Sequence, residues 1–412
     1  MTYTDRTVLG ARLEYMAIDL EDARRQTPGC AQRVHLNNAG SGLLTHRTLR
    51  TVIAHLEREA EIGGYEAQDE AQPEMDAVYQ AVAELLGAAP HEIALVDNAT
   101  RAWNAAFLGL ALRPGDRVLV SRAEYHSHVL RLRRAEERGV KIVTVPDDEH
   151  GQFDVAELEN LIDERTRLVA VTHIPSGNGL INPVEEIGWI TRAAEVPFLL
   201  DATQAVGQIP VDVQRIGCDL LCGTGRKFLR GPRGTGFLWV AEGLLDRLVP
   251  PQPDVRSTRW TPDAGLGWSP GAQRFETFER DIAALLGLGS AVRQALDLGV
   301  DEISARARYL AERLRAALGE VPGVTVEDRG VRKGAIVVAG HAVVPADELA
   351  AWLRGRGVNV SVTWPPYPGA DSADSVRPLL RFSPHHYNTE QEIDETAAAL
   401  DGFLRSHSRN EG

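Results

Sequence analysis

Lysine is nearly missing from this chain. Of its 412 residues, 44 are Lys or Arg, and lysine stands only at Lys141, Lys227 and Lys333. Surface cation is left to arginine, so a retained lysine suggests a task that a guanidinium cannot perform. A guanidinium does not give up its proton in proteins, whereas a lysine amine can be tuned to do so and can then add to a carbonyl carbon. Cysteine is equally sparse. Cys30, Cys218 and Cys222 are odd in number and lack a framework spacing, which argues against a disulfide-stapled scaffold and leads us to expect a reducing, cytoplasmic setting. Cys218 and Cys222 flank an apolar segment and read as core thiols, because no His or Cys cluster completes a metal site with them. No apolar run nears the ~20 residues that a membrane span needs. The first 20 residues carry several charges and no signal-peptide core. Acidic residues outweigh basic ones, and the formal net charge of -14 argues against nucleic acid or an anionic membrane surface as a partner.

What is present is ordinary globular material, 43% hydrophobic and 25% charged. The length suits one large and one smaller domain, which we place at 35–280 and 281–412, with an N-terminal segment 1–34 packing on the smaller one. Short apolar runs at 92–96, 117–121, 141–145, 168–173, 198–201, 219–223 and 236–240 read as strands. Amphipathic stretches at 99–112, 126–138, 155–162 and 183–194 read as helices between them. Alternation of this kind gives a mostly parallel seven-stranded sheet covered on both faces, an α/β fold. Ligands in such sheets sit at the carboxyl ends of the strands. The stretch 246–273 is rich in Pro, Gly and Trp, shows little periodicity and reads as an ordered loop. After it come a helix pair (282–298, 301–318), strands (334–338, 358–363, 379–383) and helices (345–355, 389–406), an α+β arrangement.

Two residues carry the chemistry. Lys227 follows an apolar run in Gly223-Thr224-Gly225-Arg226-Lys227-Phe228. Asp201 ends the run Phe198-Leu199-Leu200-Asp201, 26 positions upstream. Singly, each has a bland alternative: a solvated lysine and a helix N-cap. Together they suit pyridoxal phosphate, which needs a lysine for its aldehyde and an anion to keep its pyridine nitrogen protonated.

Asp201-Ala202-Thr203-Gln204-Ala205, the Lys227 segment and Gly231-Pro232-Arg233-Gly234-Thr235-Gly236 resemble the class V aminotransferase family, which includes cysteine desulfurases, selenocysteine lyases and isopenicillin-N-epimerase-like proteins. The resemblance runs from about residue 35 to about 404. It implies a fold-type-I pyridoxal-phosphate enzyme, acting through an external aldimine and a Cα carbanion on an amino acid, and normally a homodimer with shared active sites. By the same resemblance Lys227 is the cofactor lysine, Asp201 the pyridinium partner and Gln204 the donor to the phenolic oxygen. Ala99 and Thr100 match the phosphate turn, where a helix start offers free amides to an anion. Thr224, Arg226 and, from the partner subunit, Thr277 match further phosphate ligands. Tyr125 matches the ring-stacking aromatic, with His126 second; a surface location is the plain alternative for His126 and His128. Arg381 matches the arginine that holds a substrate carboxylate, for which a planar bidentate donor is suited; a strand-edge salt bridge is its alternative. Asn38, Ala39, Gly40 and Tyr65 match the substrate pocket.

The chain departs from the desulfurase pattern. Where desulfurases carry a nucleophilic cysteine, it reads Val358-Asn359-Val360-Ser361-Val362-Thr363-Trp364-Pro365-Pro366-Tyr367. Persulfide chemistry needs a thiolate that reaches the substrate sulfur. The family's phenolic-oxygen asparagine is replaced by Ser176, with Asn178 nearby. A carbon–sulfur lyase working by β-elimination without persulfide chemistry is therefore expected. An aminotransferase or an epimerase, which share the first steps, are the alternatives. Trp-rich loops at 260–268 and 364–367 suggest room for a bulky substrate tail, or plain packing.

Overall fold

The structure is a computed structural model describing residues 18–263, 265–364 and 377–410. Residues 1–17 of the expected N-terminal segment and 365–367 of the second Trp-rich loop lie outside the described residues.

The seven expected strands form one sheet: β1 (Ile93–Val96), β2 (Arg117–Val120), β3 (Lys141–Thr144), β4 (Thr166–Thr172), β5 (Phe198–Asp201), β6 (Leu220–Thr224) and β7 (Gly236–Val240). Their order is β1-β7-β6-β5-β4-β2-β3. Neighbours among β2 to β6 pair in parallel. Only β7 runs against its neighbours β1 and β6. Every residue of β5, β6 and β7 is buried, as expected for strands covered on both faces. The expected fold class is met.

The helices are α1 (His46–Ile62), α2 (Gln72–Leu86), α3 (Ala99–Gly109), α4 (His126–Glu136), α5 (Val155–Leu161), α6 (Val184–Ala193), α7 (Ile282–Leu298) and α8 (Val300–Gly319), the last packing on the second sheet described below. The first two were not foreseen. They pack on α7, which is buried on nearly every side; its run of Ala, Leu and Gly lets neighbours approach all round.

The stretch expected as an ordered loop holds a hairpin, β8 (Thr258–Thr261) with β9 (Gly265–Trp268). A buried carboxylate anchors the base of this hairpin. Glu276 accepts hydrogen bonds from the Tyr79 hydroxyl (2.8 Å), the Leu95 amide (2.8 Å) and the guanidinium groups of Arg256 and Arg280. Four donors around one carboxylate offset the desolvation of a charge that is fully buried.

A second, antiparallel sheet follows, ordered β10 (Val324–Val326), β11 (Val337–His341), β13 (Leu379–Phe382), β12 (Ser361–Thr363). The expected strand at 358–363 is split. Val358–Asn359 pairs in parallel with Val34–His35, and only Ser361–Thr363 joins the sheet. Two helices, α9 (Ala346–Gly355) and α10 (Glu390–Asn410), complete this part. Among the described residues no helix is long and apolar enough to cross a membrane.

Candidate active site

The carboxyl ends of the sheet converge on a cavity of about 290 Å³. β1 leads through Asn98 to the first turn of α3. β2 leads to Tyr125 at the start of α4. β4 ends at Thr172, β5 at Asp201 and β6 at Thr224. Ala99, Thr100, Tyr125, Ser176, Asp201, Gln204, Thr224, Arg226 and Lys227 all line this cavity. A larger cleft of about 880 Å³ beside α6 and α8 contains none of them.

Lys227 is buried, 7% exposed, so it is not a solvated lysine. Burial pushes its ammonium down to about 7; the Asp201 carboxylate opposes that shift, and the cations Arg226 and Arg381 add to it. Its Nζ lies 5.9 Å from the centroid of the Tyr125 ring. The loop that carries it is pinned on both sides. The Gly42 amide donates to the Arg226 carbonyl (2.7 Å), the Arg230 amide to the Lys227 carbonyl (2.9 Å), and His385 Nε2 meets the Phe228 carbonyl at 2.8 Å. Gly207, at φ +79°, allows this loop to pack closely; a Cβ there would stand 2.6 Å from the backbone of Phe228 and Leu229.

Asp201 is also buried. Its Oδ1 accepts from the Thr203 amide (2.8 Å) and faces Cys222 Sγ at 3.5 Å. Its Oδ2 lies 3.7 Å from His128 Nε2. His128, read from the sequence as a surface residue by default, is instead 1% exposed. Its ring stacks on Trp103, with centroids 4.3 Å apart and planes within 10°. Its Nδ1 meets Glu124 Oε2 at 3.0 Å. Sequence reasoning missed this histidine because its partners come from distant strands and helices. The spacing of Glu124 and His128, one helical turn apart, was the available signal.

At the other end of the cavity, Asn98 caps α3 by accepting from the Arg101 amide (3.0 Å), and the Ala102 amide donates to the Asn98 carbonyl. The amides of Ala99 and Thr100 are left to serve an anion. Arg226 stands near, held by the Gly40 carbonyl. Thr224 lines the cavity, but its hydroxyl donates to the Thr235 carbonyl (3.0 Å).

Arg381, on β13, donates to the Ser176 carbonyl (2.9 Å) and the Ser361 hydroxyl (3.0 Å). Among the described residues it pairs with no carboxylate. Burial, reinforced by Arg226, lowers its guanidinium to about 10, so it keeps its charge at neutral pH. Asn178 lies elsewhere, accepting from the Leu180 and Arg329 amides. Asn38 is committed to structure: it takes the Tyr387 hydroxyl (2.6 Å) and donates to the Ser383 carbonyl (2.8 Å). Ala39 accepts from Gln204 Nε2 at 3.1 Å. Arg381, Asn38, Ala39 and Gly40 do not line the cavity itself, and Tyr65 and Thr277 lie apart from it. Tyr65 is 68% exposed and lies beside Phe278, ring to ring 6.3 Å. Thr277 lines a separate cleft with Asp97 and Arg101.

The donor set fits pyridoxal phosphate. A buried, readily deprotonated lysine, a buried carboxylate and a helix start with free amides share one cavity. Gln204 adds a buried Oε1 that has no partner among the described residues, which a bound polar group would satisfy.

The family described as Aminotransferase class-V matches residues 34–396. A cysteine desulfurase of Pectobacterium atrosepticum is 29% identical over 95% of this chain and 99% of its own length. A probable cysteine desulfurase of Methanothermobacter thermautotrophicus is 31% identical over 74% of this chain and 77% of its own. Among solved structures, the apo cysteine desulfurase of Thermococcus onnurineus NA1 superposes with a TM-score of 0.84 at 24% identity, covering 94% of this chain and 98% of that one. A complex of the cystine C-S lyase C-DES with its product cysteine persulfide gives a TM-score of 0.83 at 24% identity, covering 91% and 99%. The chain belongs to the aminotransferase class-V family of pyridoxal-phosphate-dependent enzymes.

Proposed function

We propose that this chain is a carbon–sulfur lyase that eliminates a sulfur substituent from Cβ of an amino acid and uses no cysteine of its own as sulfur acceptor. The placement of its thiols carries the reading. No cysteine follows Cys222 in the sequence, and none lines the cavity. Burial raises the thiols of Cys218, Cys222 and Cys30, which disfavours the thiolate that sulfur transfer requires.

In this reading Arg381 holds the substrate carboxylate above the cavity. Tyr125 covers one face of the reacting plane, and Lys227 takes the Cα proton as general base. Bound pyridoxal phosphate supplies the electron sink for the pair left at Cα. The Cβ–S bond breaks with its electron pair leaving on sulfur. The resulting enamine hydrolyses to a 2-oxo acid and ammonia, so atoms balance without a redox partner.

The test is incubation with cysteine and its S-conjugates. The lyase yields 2-oxo acid, ammonia and thiol in equal amounts. Alanine with a protein persulfide would make it a desulfurase. Amino transfer that stalls without an added 2-oxo acid would make it an aminotransferase, and inversion at Cα an epimerase.

We also propose a homodimer, with the chain dividing near residue 280 between its two sheets. Leu49, Ile53 and Leu56 lie on one face of α1 and are exposed, as are Trp260, Leu266 and Trp268 on the hairpin and Tyr65 and Phe278 nearby. Apolar surface on this scale marks an interface, and a partner there would bring Tyr65 and Thr277 to a site they do not reach in their own chain. A monomer in sedimentation velocity at micromolar concentration would overturn this arrangement.

A further inference from the structure

We propose that Glu124 and His128 are positioning residues that hold the Asp201 carboxylate, as an anion, in the orientation that meets the ring nitrogen of bound pyridoxal phosphate. The inference rests on the cofactor reading above and concerns residues outside it.

Glu124 is the anchor. Its side chain is 2% exposed, yet its two oxygens receive the Ser121 hydroxyl, the Thr172 amide (3.0 Å) and the Thr172 hydroxyl (3.1 Å). These donors favour an ionised carboxylate, which accepts and cannot donate. The fourth neighbour, His128 Nδ1 at 3.0 Å, must then be the donor. With Nδ1 carrying a hydrogen, Nε2 faces Asp201 Oδ2 at 3.7 Å. A lone pair there would oppose the carboxylate, whereas an N–H supports it.

The imidazole cannot turn away. Trp103 stacks on its face, Phe107 stacks on Trp103 at 4.9 Å, and the Tyr125 ring stands edge-on at 5.7 Å. Asp201 is thus held at Oδ1 by Thr203 and Cys222, and its Oδ2 faces His128 Nε2 at 3.7 Å. Two carboxylates around one imidazole leave negative charge at the cavity wall, which suits a cationic ring nitrogen. Outer partners that orient a binding group are worth about 10–100-fold in affinity or activity at metal sites, and we carry that magnitude over.

The experiment compares wild type, His128→Phe, His128→Gln and Glu124→Gln. His128→Phe keeps an aromatic against Trp103 and removes both nitrogens. Each apoprotein is titrated with pyridoxal phosphate, and 15N-labelled cofactor reports ring-nitrogen protonation by NMR. Expected is about 10–100-fold weaker binding in His128→Phe, a 15N shift toward the neutral ring, and a fall in kcat with little change in KM for the amino acid. Glu124→Gln should show the same direction, and His128→Gln a partial recovery over His128→Phe. A wild-type 15N shift and wild-type affinity in His128→Phe would overturn the proposal. If His128→Phe does not fold, the Glu124→Gln and His128→Gln shifts decide, and wild-type values in both overturn it as well. A wild-type protein that gains no visible absorbance with pyridoxal phosphate would instead overturn the cofactor reading, which separates the two failures.

Discussion

Replacing Lys227 by alanine is expected to reduce turnover by about 10⁴-fold or more, since in the function proposed above it is both the covalent anchor and the base. The visible absorbance of cofactor linked to lysine should vanish, while the protein still folds and still binds the phosphate end. Lys141 and Lys333 cannot take over. Lys141 is on the exposed edge strand β3, and Lys333 donates to the Asp328 carbonyl beside the other cleft. A pH arm sharpens the test. The ordinary lysine value is 10.5, and burial brings Lys227 to about 7. The neutral amine is the form that adds to an aldehyde, so its fraction rises with pH through about 7. Cofactor loading onto apoprotein, followed by absorbance, should therefore quicken from pH ~6 to ~8 and then level off. Unchanged turnover in Lys227→Ala would sink the assignment, and a loading rate still climbing steeply at pH ~10 would show that the amine is not lowered.

Arg381→Ala is expected to raise KM for a carboxylate substrate by about 10²–10³-fold with cofactor affinity little changed. Hydrogen bonds to charged groups contribute ~1.5–3 kcal/mol each, and each 1.4 kcal/mol is tenfold. The structure gives a reason to expect the larger end. Arg381 is cross-strand from Ser361, half-buried, and next to Arg226 and Lys227, which disfavour its charge or are disfavoured by it. A partly desolvated cation without an anion is disfavoured; an incoming carboxylate would offset that. The alternative strand-edge salt bridge is not formed among the described residues. Steady-state kinetics with one amino acid substrate decides: a wild-type KM would mean that another group holds the carboxylate.

The central sheet was legible because β5, β6 and β7 are buried on both faces, so their apolar runs have no competing explanation. Lys227 and Asp201 were legible because they end or follow such runs, where an α/β sheet presents its ligands. Less could be read where burial is assembled from afar. α1 buries only Thr48 and His55 within this chain; its apolar stripe, Leu49, Ile53 and Leu56, has the spacing of a helix face but stays exposed, so that signal points away from this chain's own core. The hairpin strands are four residues long and expose Trp260 and Leu266, so alternation there carries little signal. Asn38 is bound by Ser383 and Tyr387, more than 340 positions away, and no local pattern tells a pocket residue from a brace. His128 is hidden by the same rule: Glu124, His126 and Ser127 just before it are polar, while its cover comes from Trp103 and Asp201.

The Glu276 cluster has a mechanical meaning. One carboxylate joins α2 through Tyr79, the β1 backbone through Leu95, the hairpin base through Arg256 and the approach to α7 through Arg280. Swinging the hairpin would strip a donor from a fully buried charge, at a cost of several kcal/mol. The hairpin is therefore a stiff outrigger and not a flap. Because β1 runs straight into the turn at Ala99 and Thr100, a load placed on the hairpin by a neighbouring molecule is delivered to the amides at the rim of the cavity.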